Sequence, residues 1–207
     1  MAQNEFWQGN KAIAMGAIAA GCRYFGGYPI TPSTEIMEVM SEELPKLGGK
    51  FVQMEDEIGG IASALGASIA GKKAMTASSG PGISLKQELL GYGYIAEIPL
   101  VVADVQRGGP STGLPTKVSQ ADVMQARWGT HGDHATIAYA PCSIPECYTL
   151  TLEAFNMAER FRQPALVIAA EDIGHIREKI TIPQPGPYKP VNRQTPTAAP
   201  DAFRPLH

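Results

Sequence analysis

Cysteine is scarce in this chain of 207 residues. Cys22, Cys142 and Cys147 form no CxxC pair and show no cluster-ligand spacing, which argues against a disulfide framework and against an iron–sulfur cluster held by this chain. Each reads as a buried or unreactive thiol of a reducing compartment. Charge of one sign is also lacking: 17 Lys and Arg stand against 20 Asp and Glu, a net charge of −3, which excludes a general nucleic-acid binder. No apolar run approaches the ~20 residues of a membrane span, and no charged-then-apolar leader opens the sequence. A soluble, cytoplasmic protein is expected. The nucleotide fingerprints GxGxxG and GxxxxGK[ST] are missing, as is a Gly-Asp-Gly run followed downstream by Asn, the usual metal–diphosphate motif.

What is present is a set of unusual loops on an alternating frame. Helical patterns are expected over Gly9 to Cys22, Ser33 to Leu47, Ile83 to Glu97 and Ser143 to Phe161. Strands are expected at Arg23–Pro29, Lys50–Met54, Lys73–Ala77, Pro99–Val105, Thr136–Ala140 and Ala165–Ala170. The Pro99 strand is nearly all apolar, as parallel strands covered on both faces tend to be. The alternation predicts an α/β domain with a mostly parallel sheet and helices on both faces. Residues 1–178 form this domain. Residues 179–207 read as a Pro-rich linker or arm, the last 25 residues holding seven prolines, with any following domain absent. Such an arm is expected to wrap a partner or lead toward a further domain.

The densest signal is Glu55-Asp56-Glu57 running into a stretch of Gly, Ala, Ser, Ile and Leu that reaches Gly71. Acids suit the first turn of a helix, whose free N–H groups carry partial positive charge. A helix so poor in bulk is built for close approach by something flat or by another backbone. A carboxylate at its mouth, drawn out of water, can share a proton with a ring nitrogen. A solvated acidic cap is the competing reading.

Ligands in open α/β sheets bind beyond the carboxyl ends of the strands. There the chain has Gly26-Gly-Tyr-Pro-Ile-Thr-Pro-Ser-Thr-Glu35, whose prolines stiffen the loop around Thr31. It has Thr76-Ala-Ser-Ser-Gly-Pro-Gly82, a Gly-rich turn opening a helix, and Asp104-Val-Gln-Arg-Gly-Gly-Pro-Ser-Thr-Gly-Leu-Pro-Thr-Lys117. In the last, glycines next to Arg107 let a guanidinium approach a ligand closely, and Arg is the preferred bidentate partner of a carboxylate. Trp128-Gly-Thr-His-Gly-Asp-His134 offers two histidines and an aspartate. A hydrogen-bonded loop at a pocket rim is expected there in preference to a metal site.

Taken in order, these loops closely resemble the alpha-type chains of the 2-oxoacid:ferredoxin oxidoreductase family, and within it those acting on 2-oxoglutarate. The resemblance extends over about residues 5 to 178, with Gln53-Met-Glu-Asp-Glu57 and Gln125-Ala-Arg-Trp-Gly-Thr-His-Gly-Asp-His134 among its motifs. It implies a pyrimidine-type thiamine diphosphate-binding fold and a cofactor shared with a beta subunit. Mg²⁺ and an iron–sulfur cluster would be on that partner only. It places the acid that meets the pyrimidine on Glu57, a substrate-binding hydroxyl on Thr31, with Pro32 beside it at the cofactor, and the carboxylate-binding arginine on Arg107. The implied reaction is oxidative decarboxylation of 2-oxoglutarate with CoA and ferredoxin. A dicarboxylate needs a second cation, for which Lys117, Arg127 and His131 are near in sequence. Alternatives are the same chemistry on branched-chain or other 2-oxoacids, or a non-catalytic truncated assembly subunit.

Overall fold

The expected strands and helices form in the computed structural model, which describes residues 4–181, 189–195 and 202. In chain order they are β1 (Asn4–Gln8), α1 (Gly9–Ala19), β2 (Tyr24–Gly27), α2 (Thr34–Lys46), β3 (Lys50–Gln53), α3 (Glu57–Ile69), β4 (Ala74–Ser78) and α4 (Gly80–Ile95). There follow β5 (Leu100–Gln106), α5 (Val123–Trp128), β6 (Ile137–Tyr139), α6 (Ile144–Phe161), β7 (Pro164–Ala170), α7 (Glu171–His175) and β8 (Arg177–Thr181). The helix α1 stops at Ala19, short of the expected Cys22, because Gly21 takes a φ of +93° that an L side chain rarely adopts.

Six strands make one parallel sheet in the order β3-β2-β4-β5-β7-β6. The central strands β4, β5 and β7 are buried along their whole length, which explains their mostly apolar or small residues, with Asp104 and Gln106 as the exceptions in β5. The helices α1, α2 and α6 cover one face, burying Ile13, Ile36, Met40, Ile144, Leu152 and Phe155 against alternate residues of the strands. On the other face α3 and α4 bury Ile61, Leu65, Ile83 and Leu90 against Leu100 and Val102. From β2 the chain moves outward to β3, then crosses back to β4 on the other side of β2. That reversal opens a crevice at the carboxyl ends of β2 and β4, the position where open α/β sheets bind ligands.

Beyond the short elements β1, α5 and α7, which the sequence analysis does not name, two features bear on the expected arm. The segment β8 crosses the boundary expected after residue 178 and pairs antiparallel with β1 from Asn4↔Thr181 to Gln8↔Arg177. Only Ile180 of β8 is buried, so its sequence carries little alternation to betray a strand. The second is the described part of the Pro-rich arm, which returns to its own domain. Glu159, 4% exposed on α6, takes the Arg193 guanidinium through two contacts of 2.9 and 2.7 Å, and Arg193 also donates to the Ser68 carbonyl. The Asn156 side chain accepts from Val191 N and donates to Lys189 O, while Lys73 Nζ donates to Val191 O. The rest of the expected arm lies outside the described residues.

Candidate functional site

The loop after β2 is held from three sides. Asn10 Nδ2, buried in the first turn of α1, donates to Pro32 O at 2.7 Å and to Glu35 Oε2 at 2.9 Å. His175 Nε2 lies 3.0 Å from the same Pro32 carbonyl. Arg107 Nη1 donates to Thr31 O at 2.8 Å. Ser33, the residue before α2, uses its hydroxyl on Ile30 O rather than on the helix, so the loop is tied to itself as well. Thr31 is left exposed at the tip and Pro32 is buried.

The acidic triplet divides its labour. Asp56 caps α3 by accepting from Gly59 N at 2.7 Å, and Glu55 is exposed. Glu57 is 7% exposed. Its carboxylate lies on the first turn of α4: a Cβ on Gly82 would sit 2.8 Å from both Glu57 Cγ and Oε1, and 2.0 Å from Ser78 Oγ. Glycine at 82 is thus a requirement of this contact. The hydroxyls of Thr76, Ser78 and Ser79 are buried nearby in sequence with no hydrogen-bond partner. A buried acid with unclaimed hydroxyls is a donor and acceptor set that suits a nitrogen heterocycle. One turn along α4, Lys86 is fully buried and its Nζ donates to Glu57 O at 3.0 Å. Burial pushes its pKa down to about 8, opposed by the charges of Glu57 and Asp56.

On the other flank of the α4 start lies a cavity of about 630 Å³ lined by Gly80, Ser84, Arg107, Pro110, Asp122 and Gln125 among others. Arg107 is 5% exposed. Besides Thr31 O, its guanidinium donates through Nη2 to Thr112 O at 2.9 Å, and its Nε is buried without a partner. It therefore bridges the β2 loop and the β5 loop. Thr31 and Arg107 come together; Glu57 is absent from the cavity wall, separated from it by the first turn of α4.

At the cavity wall Asp122 meets Asp104, a pair of carboxyls that sequence reasoning missed. Asp104 is fully buried at the end of β5 and meets Asp122, which accepts from Gly80 N at 3.1 Å. Burial, reinforced by the Asp122 charge, holds the Asp104 carboxyl well above the ordinary carboxylate range. Burial raises Asp122 too, against the lowering pull of Gly80 N–H, Asp104 and Arg107. Asp104 is the more deeply buried of the two, and neither of its side-chain oxygens has a hydrogen-bond partner. A folded pKa above the unfolded one gives stability that is complete below the ordinary value of 3.8 and is lost as pH rises through the folded value. Asp104→Asn keeps the shape of the buried side chain without the titration. Its thermal midpoint is expected to match or exceed that of the parent chain at pH 7–8, with the difference closing toward pH 4. A difference independent of pH in a series of melts would refute a raised Asp104 carboxyl.

The candidate cations for a second carboxylate are scattered. Lys117, Arg127 and His131 are exposed and none lines the cavity. Arg127 stacks over its neighbour Trp128 at 4.7 Å. His134 packs on Tyr94 with ring centroids 4.5 Å apart, and its Nδ1 lies 3.2 Å from Gly132 O. Among the described residues no group of three or more His, Cys, Asp or Glu is placed to hold a metal ion, and no helix is long and apolar enough to cross a membrane.

The family described as "Pyruvate flavodoxin/ferredoxin oxidoreductase, thiamine diP-bdg" matches residues 15–205. This chain belongs to that family. Among its curated relatives, a 2-oxoglutarate synthase subunit KorA of Methanocaldococcus jannaschii is 62% identical over 178 residues, covering 86% of this chain and 49% of that protein. The KorA of Methanothermobacter marburgensis is 56% identical over 206 residues, covering all of this chain and 54% of that one. A ketoisovalerate oxidoreductase subunit VorB of the same organism is 43% identical, covering 86% and 50%. The chain thus spans about half the length of the curated relatives it matches. Among solved structures, 2-oxoglutarate:ferredoxin oxidoreductase from Magnetococcus marinus, with 2-oxoglutarate, coenzyme A and succinyl-CoA bound, superposes with a TM-score of 0.91 at 43% identity, covering 95% of this chain and 34% of that one. The parallel sheet with helices on both faces is therefore the thiamine diphosphate-binding fold of this oxidoreductase family.

Proposed function

We propose that this chain is the pyrimidine-holding part of a 2-oxoglutarate:ferredoxin oxidoreductase, forming succinyl-CoA and CO₂ from 2-oxoglutarate and CoA while reducing ferredoxin. The observation that carries the reading is the buried Glu57 carboxylate lying on Gly82 at the mouth of α3. Thiamine diphosphate, when bound, supplies a nucleophilic carbon and an electron sink for loss of CO₂. The chain's own part is to hold and protonate. Glu57 would bond to the pyrimidine N1′ and exchange a proton there, with the unclaimed Ser and Thr hydroxyls and Pro32 shaping the ring's surroundings. Arg107 and Thr31 would receive the substrate at the loops they already tie together. The greater identity to the KorA relatives than to VorB supports 2-oxoglutarate over a branched-chain 2-oxoacid.

A beta subunit would complete the site, bringing Mg²⁺, the diphosphate contacts and an iron–sulfur cluster, in the cytoplasm. The cluster around Glu57 suits a ring nitrogen, and the diphosphate contacts would come from the partner. Parts of the strips at Gly59–Gly71 and Leu89–Ile95 are buried in the chain's own core, yet Ile58, Ile69, Leu85, Tyr92 and Ile95 remain exposed on α3 and α4, a face suited to another subunit. In calorimetry the isolated chain is expected to bind thiamine diphosphate with Mg²⁺ more weakly than micromolar. With the beta subunit present, tight binding and 2-oxoglutarate-dependent reduction of ferredoxin are expected. Micromolar binding by the chain alone would sink the split-site reading.

A further inference from the structure

Lys86 is among the bulkiest fully buried side chains of the described residues, in the company of Phe25 and Phe155. A lysine rarely goes inside without a carboxylate against its ammonium, because taking the charge out of water is costly. Here the ammonium donates to a backbone carbonyl, Glu57 O, which as a first-turn carbonyl of a helix already has an N–H four residues on. The fold would lose no obligatory hydrogen bond if Lys86 were apolar. Yet room has been made for it. A Cβ on Gly60 would stand 3.4 Å from Lys86 Nζ and 3.1 Å from Gly27 Cα, so a bare backbone at 60 lets the ammonium sit in the seam between α3 and the end of β2. Gly82 and Lys86 are four residues apart on α4 and share one face. That face touches both ends of Glu57: Gly82 meets the carboxylate and Lys86 the carbonyl.

We infer that Lys86 is a positioning residue, whose buried ammonium braces the first turn of α3, keeps the Glu57 carboxylate on Gly82 and supplies its countercharge. The inference depends on Glu57 being the cofactor acid. The charged groups that face Lys86 are Glu57 and Asp56, both at the start of α3; the end of β2 presents Gly26 and Gly27 there, without charge. Because burial lowers its pKa from 10.5 to about 8, the ammonium is present at neutral pH and is lost within reach of an ordinary pH profile.

The sign of the linkage separates this role from packing. Between about pH 8 and 10.5 the folded chain binds fewer protons than the unfolded one, so stability rises with pH across that window. Lys86→Met removes a buried charge at similar volume. The thermal midpoint of the full chain should rise by about 3–8 °C at pH 7, and the gain should shrink toward pH 10. In the assembled enzyme the same variant should lose roughly 10–100-fold in kcat with KM little changed. The parent enzyme should show an alkaline fall in kcat near pH 8 that Lys86→Met lacks. Lys86→Arg, which stays charged, should recover part of the rate and carry it above that pH. A Lys86→Met enzyme with parental kcat and an unchanged alkaline limb would overturn the inference. So would a variant that melts lower at every pH, since Lys86 would then be packing alone. Glu57→Gln in the same preparation keeps the two readings apart. If it is harmless, the cofactor assignment itself falls; if it is damaging while Lys86→Met is silent, only the role of Lys86 falls.

Discussion

Glu57→Gln is expected to slow turnover of the assembled enzyme by roughly 10²–10⁴-fold, the usual range for loss of a positioned acid–base group. The fold should survive, because the amide has the shape of the carboxylate and the contact with Gly82 is one of shape. Glu55→Gln should change the rate little, since Glu55 is exposed and precedes the helix. Asp56→Asn should also be mild in rate, as asparagine caps nearly as well. The three substitutions together read the register of the acidic run. Steady-state rates with matched melting curves check it: a damaging Glu55→Gln beside a harmless Glu57→Gln would move the cofactor contact two residues upstream. If neither mattered, this chain would not be holding the pyrimidine ring.

The acidic run also shows how far a sequence can be read. A solvated cap and a buried acid are both present, on adjacent residues: Asp56 closes the helix and Glu57 turns inward. Composition marks the segment, and only the packing of α4 against α3 says which residue takes which part. The sheet was legible because parallel strands buried on both faces announce themselves as apolar runs, as at Leu100–Gln106. The ribbon of β1 and β8 was not, since one residue of β8 is buried and the strand pairs with a segment far away in sequence. Lys86 was hidden by its neighbours. Lys86-Gln87-Glu88 reads as a solvated helical face, and the clue was its four-residue spacing from Gly82. Asp104 is hidden inside a mostly apolar strand, and Asp122 beside it lies in a loop whose course no local pattern dictates.

Arg107→Lys is expected to lower kcat/KM for 2-oxoglutarate by roughly 10²-fold, mostly through KM, because a lysine cannot reproduce a forked contact. The structure gives this prediction a second half. Each Nη of Arg107 donates to one loop, to Thr31 O and to Thr112 O, so the guanidinium ties the two loops together. A lysine ammonium reaches one carbonyl well and leaves the other loop loose. The Nε is buried without a partner, and each Nη carries a second N–H beyond those used on the loops. If Arg107 serves both loop and substrate, every 2-oxoacid should lose affinity alike, since all share the C1 carboxylate. A residue that gripped only the distal carboxylate of 2-oxoglutarate would instead spare monocarboxylic 2-oxoacids. Comparing kcat/KM for 2-oxoglutarate and 2-oxoisovalerate in the parent and in Arg107→Lys distinguishes the two. Equal losses place Arg107 at the carboxylate common to both; a loss confined to 2-oxoglutarate makes it the second cation, and none of Lys117, Arg127 and His131 would then be needed for that task.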